Sequence, residues 1–303
     1  MAEPNGVLIV NKHVGVTSHD IVGKVRRLFG TRRVGHTGTL DPLAEGVLVV
    51  LIGRAAKAAE YLVADSKVYR ATLRLGLTTD TEDVTGEPLS TSDTLPSREE
   101  VRAVCARFVG EISQIPPMYS ALKVDGQKLC DLARKGVEIE RAARQVTIHS
   151  LVCEPTDSPS DYRLEVKCSS GTYIRTLCAD IGKELGCGGV MAALQRSETG
   201  SFSLDESVTV AELENMTAED RLARLIPTER LFDSLPAVCL PLFFEKLSRS
   251  GCEIYQKKIR TAYEVSSRVR LCSAEGTFYA IGEVREFENG TAIKALKLFD
   301  LGE

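Results

Sequence analysis

The feature that most constrains the fold is an uninterrupted apolar run at residues 47–52, which is bracketed by Gly46 and Gly53. Such a run predicts a strand that is buried on both faces. A short loop rich in glycine and proline precedes it and carries one carboxylate, Asp41, followed by Pro42. Because proline biases the preceding residue away from the helical region, the loop should be stiff. An acid held in this way suits a nucleophile or a base. The alternative is an aspartate that only caps its own turn.

Hydrophobic periodicity and capping residues divide the rest of the chain. Apolar runs and alternation predict strands at 7–10, 67–77 and 162–169. Helical spacing predicts helices, two of them capped by Thr17 and Ser97, at 18–29, 54–63, 98–108 and 172–185. Residues 78–96 should form a polar loop. Short β-type runs with glycine turns then indicate a separate small β-rich domain at 233–303, after a larger domain at 1–232.

Composition is that of an ordinary globular protein, with 43% hydrophobic and 26% charged residues among 303. No apolar run approaches the roughly 18 residues of a membrane span, and the N-terminus lacks the basic and apolar regions of a signal peptide. The 9 cysteines are scattered without a Cys-x-x-Cys pair, which favours reduced thiols over disulfides or zinc. These features predict a cytoplasmic protein with no metal site and no membrane association.

The net charge of −4 at pH 7 speaks against a nucleic-acid partner, but the charges are unevenly distributed. Affinity for RNA depends on a local basic footprint. Basic residues without an intervening acid precede the Asp41 loop, at Lys24, Arg26, Arg27, Arg32 and Arg33. A second basic skew lies at 246–270, whereas the acids concentrate elsewhere, as at 79–83. Either run by itself is typical of a solvated face, but two of them flanking a candidate active site favour RNA.

Several motifs resemble those of the TruB family of tRNA pseudouridine synthases, and they occur in that family's order. The stretch 35–48, Gly-His-Thr-Gly-Thr-Leu-Asp-Pro-Leu-Ala-Glu-Gly-Val-Leu, is similar to the family's catalytic loop. The other matches are Val-Asn-Lys-His-Val-Gly-Val-Thr-Ser at 10–18, Lys-Val-Tyr at 67–69, Gly-Thr-Tyr-Ile-Arg at 171–175 and Leu-Gln-Arg-Ser-Glu-Thr-Gly-Ser-Phe at 194–202. The resemblance implies an α+β pseudouridine synthase fold, with a central mixed, largely antiparallel β-sheet flanked by helices and a small β-rich C-terminal domain.

The resemblance also implies a reaction, the isomerisation of uridine 55 in the T loop of tRNA to pseudouridine. No cofactor is expected, because no atoms or electrons are gained or lost. The base must leave the folded RNA and enter a pocket. Asp41 then corresponds to the catalytic aspartate, as nucleophile or base. Tyr69 would stack on the base, Arg175 would pair with Asp41 and favour its ionised form, and Leu194 would line the pocket.

Two more substrate contacts follow from the same resemblance. His36 would take the place of the flipped base in the RNA, and the competing interpretation is a loop histidine with local hydrogen bonds. Lys12 matches a lysine of the N-terminal turn and is expected to bind substrate. His13 stands where the family has proline, which puts the rigidity of that turn in question.

The remaining expectations concern RNA outside the pocket. An insertion at about 111–150 resembles the segment that grips the T loop, and its cations Lys123 and Arg141 join the first basic run as expected backbone contacts. The tail at 233–303 lies where many bacterial relatives carry a PUA-type RNA-binding domain. Its alternative is an appendage that only packs on the catalytic domain. The expected partner is tRNA, bound by a monomer that requires no protein partner.

Other classes of function stay open on the sequence. An RNA chaperone would bind without chemistry, or would add a secondary tRNA-folding role to the isomerase, and the intact set of Asp41, Tyr69 and Arg175 argues against binding as the whole function. A hydrolase acting on a glycosidic bond through Asp41 would need a second carboxylate, for which Glu45 is the local candidate. Within the family, the stand-alone bacterial type is favoured over a guide-RNA-dependent enzyme.

Overall fold

The computed structural model describes residues 3–61, 66–120, 122–124 and 126–299, without the side chains of Lys123, Lys128 and Cys130. The strands up to residue 209 are β1 (Gly6–Lys12), β2 (Val34–Thr37), β3 (Ala44–Ile52), β4 (Lys67–Leu75), β5 (Leu77–Thr79), β6 (Pro88–Thr91), β7 (Gly110–Gln114), β8 (Lys123–Val124), β9 (Gln127–Lys128), β10 (Arg144–Pro155), β11 (Asp161–Cys168), β12 (Gly189–Thr199), β13 (Phe202–Ser203) and β14 (Val208–Thr209). The helices of this part are α1 (Ser18–Leu28), α2 (Arg98–Arg107), α3 (Leu129–Ala133), α4 (Ile174–Glu184), α5 (Val210–Asn215) and α6 (Ala218–Ala223), with 3₁₀ turns at Gly53–Tyr61, Leu204–Glu206 and Thr228–Phe232.

Ten of these strands form one sheet, in the order β14-β1-β3-β12-β4-β11-β10-β7, with β2 on β3 and β13 on β12. The pairs β1–β14 and β3–β12 are parallel, and the other described pairs of this sheet are antiparallel. A mixed, largely antiparallel sheet flanked by helices confirms the predicted fold class. None of the helices in the described ranges has the length and apolar character needed to cross a membrane.

Strand β3 is buried on both faces, as its apolar run predicts. Its alternate side chains enter two different cores, with Leu48, Val50 and Ile52 in the first and Val47, Val49 and Leu51 in the second. The first core also contains apolar residues of α1, α2 and α4, and we call this side of β3 the helical face. The opposite side is the back face. Both faces of the central strand are therefore covered by other parts of the chain.

The predicted helices at 18–29, 98–108 and 172–185 are present as α1, α2 and α4, and the capping boxes at Thr17 and Ser97 are formed. The prediction at 54–63 was wrong in type, because Gly53–Tyr61 winds as a 3₁₀ helix, and residues 62 and 63 lie outside the described residues. Ala55 and Ala58 are fully buried. Their spacing of three residues places both on one side of a 3₁₀ helix, whose turn contains three residues.

The predicted loop at 78–96 was also wrong in part, because β5 and β6 pair as a hairpin. Two aspartates of its turn bind backbone N–H groups. Asp80 accepts from Glu87 N at 2.8 Å, and Asp83 accepts from Thr85 N at 2.9 Å. Such side-chain bonds to nearby backbone fix a tight turn. The polar residues therefore build a turn where the sequence pattern predicted an irregular loop.

The C-terminal region has the elements β15 (Ala237–Cys239), α7 (Leu242–Arg249), β16 (Ile254–Tyr255), α8 (Gln256–Ile259), β17 (Arg268–Cys272), β18 (Phe278–Phe287) and β19 (Gly290–Leu298). Its strands form a second sheet, in the order β15-β17-β18-β19-β16, with a core of its own. Ile281 and Phe299, however, lie in the core of the back face with Val49. The β-rich region therefore both forms its own sheet and covers the back of the large one.

Candidate active site

The site lies where β3 changes partner along one edge. One edge of β3 pairs with β1 from residue 46 to residue 52. The other edge pairs with β12 at residues 44–46 and with β2 at residues 49–52. Arg196 fills the point of divergence, where its buried guanidinium donates from Nε to the Val47 carbonyl and from Nη2 to the Gly38 carbonyl, both at 2.8 Å. Gly46 is required beside it, because a Cβ there would overlap the Arg196 carbonyl oxygen.

The connection between β2 and β3 carries Asp41 and is tied at several points. The buried Ser18 hydroxyl accepts from Leu40 N at 2.9 Å and donates to Leu40 O at 3.0 Å. Gly15 N donates to Pro42 O at 2.8 Å. The residues on both sides of Asp41 are therefore fixed to the start of α1 and to the turn that follows β1, as expected of a stiff loop.

Arg175, in the first turn of α4, pairs with Asp41 as predicted, with 3.0 Å between Nε and Oδ2. The arginine side chain is 5% exposed. Its Nη1 lies 3.7 Å from Asp83 Oδ2 and donates to Thr81 O at 3.0 Å, and its Nη2 donates to Tyr119 O at 2.7 Å. The guanidinium thus bridges two carboxylates and holds two backbone carbonyls.

No sequence pattern indicated Asp83 as a site residue. The acids at 79–83 were noted only as lying outside the two basic runs. The hairpin turn carries Asp83 next to Arg175, where its side chain is 7% exposed. Its Oδ1 accepts hydrogen bonds from Thr81 Oγ1 and from Thr85 N and Oγ1. These donors compensate a buried carboxylate, and threonines two residues away on each side are the one local sign of this arrangement.

Asp41 opens onto a cavity of about 300 Å³, at the lower end of the size range of small-ligand sites. Tyr69, Arg175 and Leu194 line the same cavity. Tyr69 on β4 lies opposite Arg196 on β12, and Leu194 precedes Arg196 by two residues on the same strand. The side chains of Tyr69 and Leu194 are nearly buried, at 7% and 9% exposure. The structure therefore brings together a carboxylate, a guanidinium, an aromatic ring and an aliphatic wall.

The electrostatics of the cavity follow from its poor solvation. Burial raises the pKa of Asp41 above its usual value, although the neighbouring Arg175 guanidinium opposes the rise. The side chain keeps 38% of its surface accessible, because the cavity is open to solvent on one side. Burial also raises the pKa of Tyr69, so its phenol is neutral at physiological pH. Among the described residues, Arg175 is the ion-pair partner of the Asp41 carboxylate.

A groove of about 610 Å³ continues from the other side of Asp41 and is lined by His36, His19 and Arg134 among others. His36 lies on β2, opposite Val50, and not in the loop that was predicted. Its Nδ1 is buried and has no hydrogen-bond partner among the described residues. This observation does not favour the competing interpretation, a loop histidine with local hydrogen bonds. Burial lowers the pKa of His36, so the ring is neutral at pH 7.

Lys12 is not among the residues that line the cavity. Its side chain is fully buried, and Nζ donates to the carbonyls of Val16 at 2.8 Å and His13 at 3.1 Å. Burial lowers the pKa of Lys12 to about 8. These two bonds link the ends of the turn at residues 13–16, in which His13 stands where the family has proline. The same turn contacts the Asp41 loop, because Gly15 N donates to Pro42 O. Lys12 therefore supports this turn, and its predicted contact with substrate stays a prediction.

The first basic run is half-exposed at Lys24 and Arg26 and exposed at Arg27, Arg32 and Arg33. Arg26 donates from Nη2 to Val34 O at 3.1 Å, and its Nε is buried. This guanidinium therefore braces the start of β2, and the predicted contact of Arg26 with RNA stays a prediction.

The insertion leaves the sheet after β7 and returns at β10. Gln114 at the end of β7 pairs with Arg144 at the start of β10. It folds back over the site, where Tyr119 binds Arg175 and lines the groove with Arg134. Arg141 lies 3.5 Å from Glu138, with 20% of its side chain exposed. The backbone of residue 123 belongs to β8, and the predicted contact of its side chain lies outside the described residues.

Comparison with known proteins identifies the class. Residues 26–174 match the TruB family pseudouridylate synthase (N terminal domain), and residues 175–233 match the tRNA pseudouridylate synthase B C-terminal domain. The chain therefore belongs to the TruB family of pseudouridylate synthases. No group of three His, Cys, Asp or Glu side chains in the described part of the chain is placed to hold a metal ion.

Particular relatives are similar over almost their whole length. tRNA pseudouridine synthase B of Alkaliphilus oremlandii is 43% identical over 297 residues, which cover 97% of this chain and 98% of the relative. tRNA pseudouridine synthase B of Clostridium perfringens is 40% identical over 281 residues, covering 92% and 95%. A solved structure, "Crystal Structure of a Cbf5-Nop10-Gar1 Complex", is similar with a TM-score of 0.71 and 22% identity over 98% of this chain and 85% of that chain. This last likeness concerns the fold.

Proposed function

We propose that this protein isomerises uridine 55 in the T loop of tRNA to pseudouridine, with Asp41 as the catalytic carboxylate. The observation that carries the proposal is the cavity where Asp41, Arg175, Tyr69 and Leu194 meet. The name shared by the relatives, tRNA pseudouridine synthase B, supports tRNA as the substrate. We further propose that the protein acts as a stand-alone, monomeric cytoplasmic enzyme that requires neither a guide RNA nor a protein partner.

The chemistry needs a carboxylate and little else. The bond between N1 and C1′ breaks, the uracil turns, and C5 forms a new bond to C1′. C5 then loses its proton, and N1 gains one, so the reaction is balanced without a cofactor. Asp41 either attacks C1′ or assists the departure of uracil. Arg175 directs the carboxylate and favours its ionised form, and poor solvation of the carboxylate favours its reaction with C1′.

The surrounding residues fit an extracted base. The ring of Tyr69 offers a stacking surface and Leu194 an apolar wall, while the sheet behind them excludes water. The adjoining groove would take the RNA backbone on either side of the base. His36, neutral and lacking a hydrogen-bond partner at Nδ1 among the described residues, would occupy the position that the base has left. The insertion at 111–150 closes over this groove and would grip the T loop.

Phosphate contacts would come from the exposed cations of the first basic run and from Lys123 and Arg141 of the insertion.

We further propose residues 1–232 as the catalytic domain and 233–303 as a PUA-like domain that touches the tRNA. The exposed apolar side chains of Leu242 and Phe243, at 62% and 67%, support an interaction surface on α7. Phe243 is of the kind that stacks on unpaired bases.

The direct test is to incubate unmodified tRNA with the purified protein and map pseudouridine in the product. We expect modification at position 55. Asp41→Asn should abolish turnover while tRNA affinity stays within a few-fold, because affinity comes from spread phosphate contacts. Residual turnover within about tenfold of wild type, a loss of only ~1.4 kcal/mol, would remove Asp41 from the catalytic role.

A matched variant separates isomerisation from glycosidic hydrolysis. Glu45 Oε1 accepts from Gln195 Nε2 at 2.9 Å, so the second carboxylate that a hydrolase would need already has a structural partner. Glu45→Gln should therefore keep the turnover of wild type and yield pseudouridine. Release of free uracil by the wild type, with its loss in Glu45→Gln, would favour hydrolysis.

A further inference from the structure

The turn of the β5–β6 hairpin contacts the first turn of α4 residue by residue. Arg175 Nη1 donates to the Thr81 carbonyl at 3.0 Å and lies 3.7 Å from Asp83 Oδ2. Between these two contacts, Thr176 Oγ1 donates to Glu82 Oε2 at 2.6 Å. Three consecutive residues of the turn thus meet two consecutive residues of the helix. Of this set the proposed chemistry uses Arg175, and Glu82 has no role in it.

The backbone at Glu82 is held in an unfavourable conformation. Its φ of 62° lies in the left-handed region, which costs a residue with a side chain about 1 kcal/mol or more. Two hydrogen bonds to β12 maintain it, from Met191 N to Glu82 O at 3.0 Å and from Val84 N to Met191 O at 3.1 Å. This conformation lets Glu82 reach the helix at Thr176 while the next side chain, Asp83, faces Arg175. Strain of this kind is often retained at functional sites.

The Glu82 carboxylate is half-buried and lies among charges. Burial raises its pKa, and the hydrogen bond from Thr176 opposes the rise. The charged groups that act on it are Arg175, Asp180 and Arg141. Thr176 is 4% exposed, so removal of Glu82 would leave its buried hydroxyl without this acceptor.

We propose that Glu82 is a positioning residue for the isomerisation. Through Thr176 it fastens the 81–83 turn to α4 and thereby fixes the Arg175 guanidinium between Asp41 and Asp83. The direct contact between Arg175 and Asp83, at 3.7 Å, is long for a charged hydrogen bond, whereas the bond to Thr176 is short. A shift of about 1 Å at a catalytic group can reduce turnover by a factor of about 100. This inference rests on the proposed function.

The test uses the full chain and compares kcat and KM for unmodified tRNA. Glu82→Ala should lower kcat by about tenfold or more, which is less than the factor of about 100 expected for a shift of about 1 Å. KM should stay within about twofold, because the tRNA contacts are elsewhere. Glu82→Gln keeps an oxygen that accepts from Thr176 and should recover most of kcat. Glu87→Ala is the matched control, since Glu87 is an exposed carboxylate on the same hairpin, and it should behave as wild type.

A double-mutant cycle separates this role from a general loss of stability. Thr176→Val should lower kcat as Glu82→Ala does, and the two losses should not add, because either change breaks the same bond. All assays are run well below the thermal midpoint of each variant, measured by circular dichroism. Wild-type kcat in Glu82→Ala, equal losses in Glu82→Ala and Glu82→Gln, or additive losses with Thr176→Val would each overturn the inference and leave the function intact. A wild-type protein that does not modify tRNA would overturn both.

Discussion

The two faces of strands β1 and β3 are covered by different kinds of side chain. On the helical face, apolar side chains such as Val10 and Leu48 give way to polar groups that support the Asp41 loop, including the buried Lys12. On the back face, Val7 and Val49 belong to an apolar core that also contains Ile281 and Phe299 of the C-terminal region. Substitutions on the first face should therefore change turnover or charge balance, whereas substitutions on the second should change stability.

The largest expected effect comes from removing the cover of the back face. A chain ending at residue 233 would expose part of a core that includes Val7, Ile9 and Val49. Exposure costs about 1.5–3 kcal/mol for each such side chain. Three or four of them approach the whole stability of a typical domain, about 5–15 kcal/mol. We expect this truncated protein to lose its cooperative thermal transition.

The control for this experiment is Phe243→Ser, a change at an exposed position of the C-terminal region. It should leave the midpoint of thermal unfolding within a degree or two of wild type, about the effect of a surface change. A truncated protein that unfolds at the wild-type temperature and modifies an isolated T-arm hairpin would show that the back face needs no cover.

The next largest effect is expected on the helical face, from Arg175→Met. Turnover should fall steeply, and the free energy of unfolding should fall by about 3–5 kcal/mol, because a buried partner charge is stranded. Asp83 is the more buried of the two carboxylates, at 7% side-chain exposure against 38% for Asp41. The stability loss should therefore be recovered mainly by adding Asp83→Asn.

Denaturant unfolding of the two double variants decides between the carboxylates. Recovery of stability with Asp41→Asn, and none with Asp83→Asn, would show that the stranded charge is that of Asp41. Full additivity in both would show that neither carboxylate is coupled to Arg175.

The smallest effect concerns pH and Lys12. Since burial lowers the pKa of Lys12 from 10.5 to about 8, the folded protein binds fewer protons than the unfolded chain between these values. The free energy of unfolding should therefore rise with pH in this window, and the contribution of Lys12 amounts to about 3 kcal/mol in total. Below pH 8 both states are protonated and this contribution is constant.

The measurement is the difference in unfolding free energy between wild type and Lys12→Met at several values of pH. Subtraction removes the titration of tyrosines and cysteines, which both proteins share. The difference should change between pH 8 and 10.5, and Lys24→Met, at a half-exposed position, should give no such change. Parallel curves for wild type and Lys12→Met would contradict the lowered pKa.

Features that depend on residues close together in the sequence could be predicted, whereas contacts between distant segments could not, with one exception. The apolar run of β3 and the turn chemistry around Asp41 are local, and both were found as expected. The pairing of Arg175 with Asp41 was found because the family motifs mark both residues. Asp83 was not predicted, and no role was predicted for Arg196 although it lies in the motif at 194–202. The partners of both residues come from distant strands and helices whose arrangement depends on the whole sheet.

Side chains that bind backbone carbonyls could not be predicted from the sequence either. Lys12 and Arg26 were predicted to contact substrate or RNA, and the structure also shows them donating to the carbonyls of Val16 and Val34. Every residue presents a carbonyl, so such a partner leaves no mark in the sequence.

The divergence of β2 and β12 along one edge of β3 makes the sheet itself a wall of the cavity. The wall formed by β4 and β12 can shift only if a strand ladder breaks, whereas the wall formed by Ser120 and Leu122 of the insertion lies outside the sheet. Ladder amides in the centre of a sheet usually exchange with solvent hydrogen through global unfolding. The amides of β3 should therefore be among the slowest to exchange in the molecule. In the proposed reaction, the conformational adjustment of binding would therefore fall on the nucleic acid and the insertion, and not on the sheet.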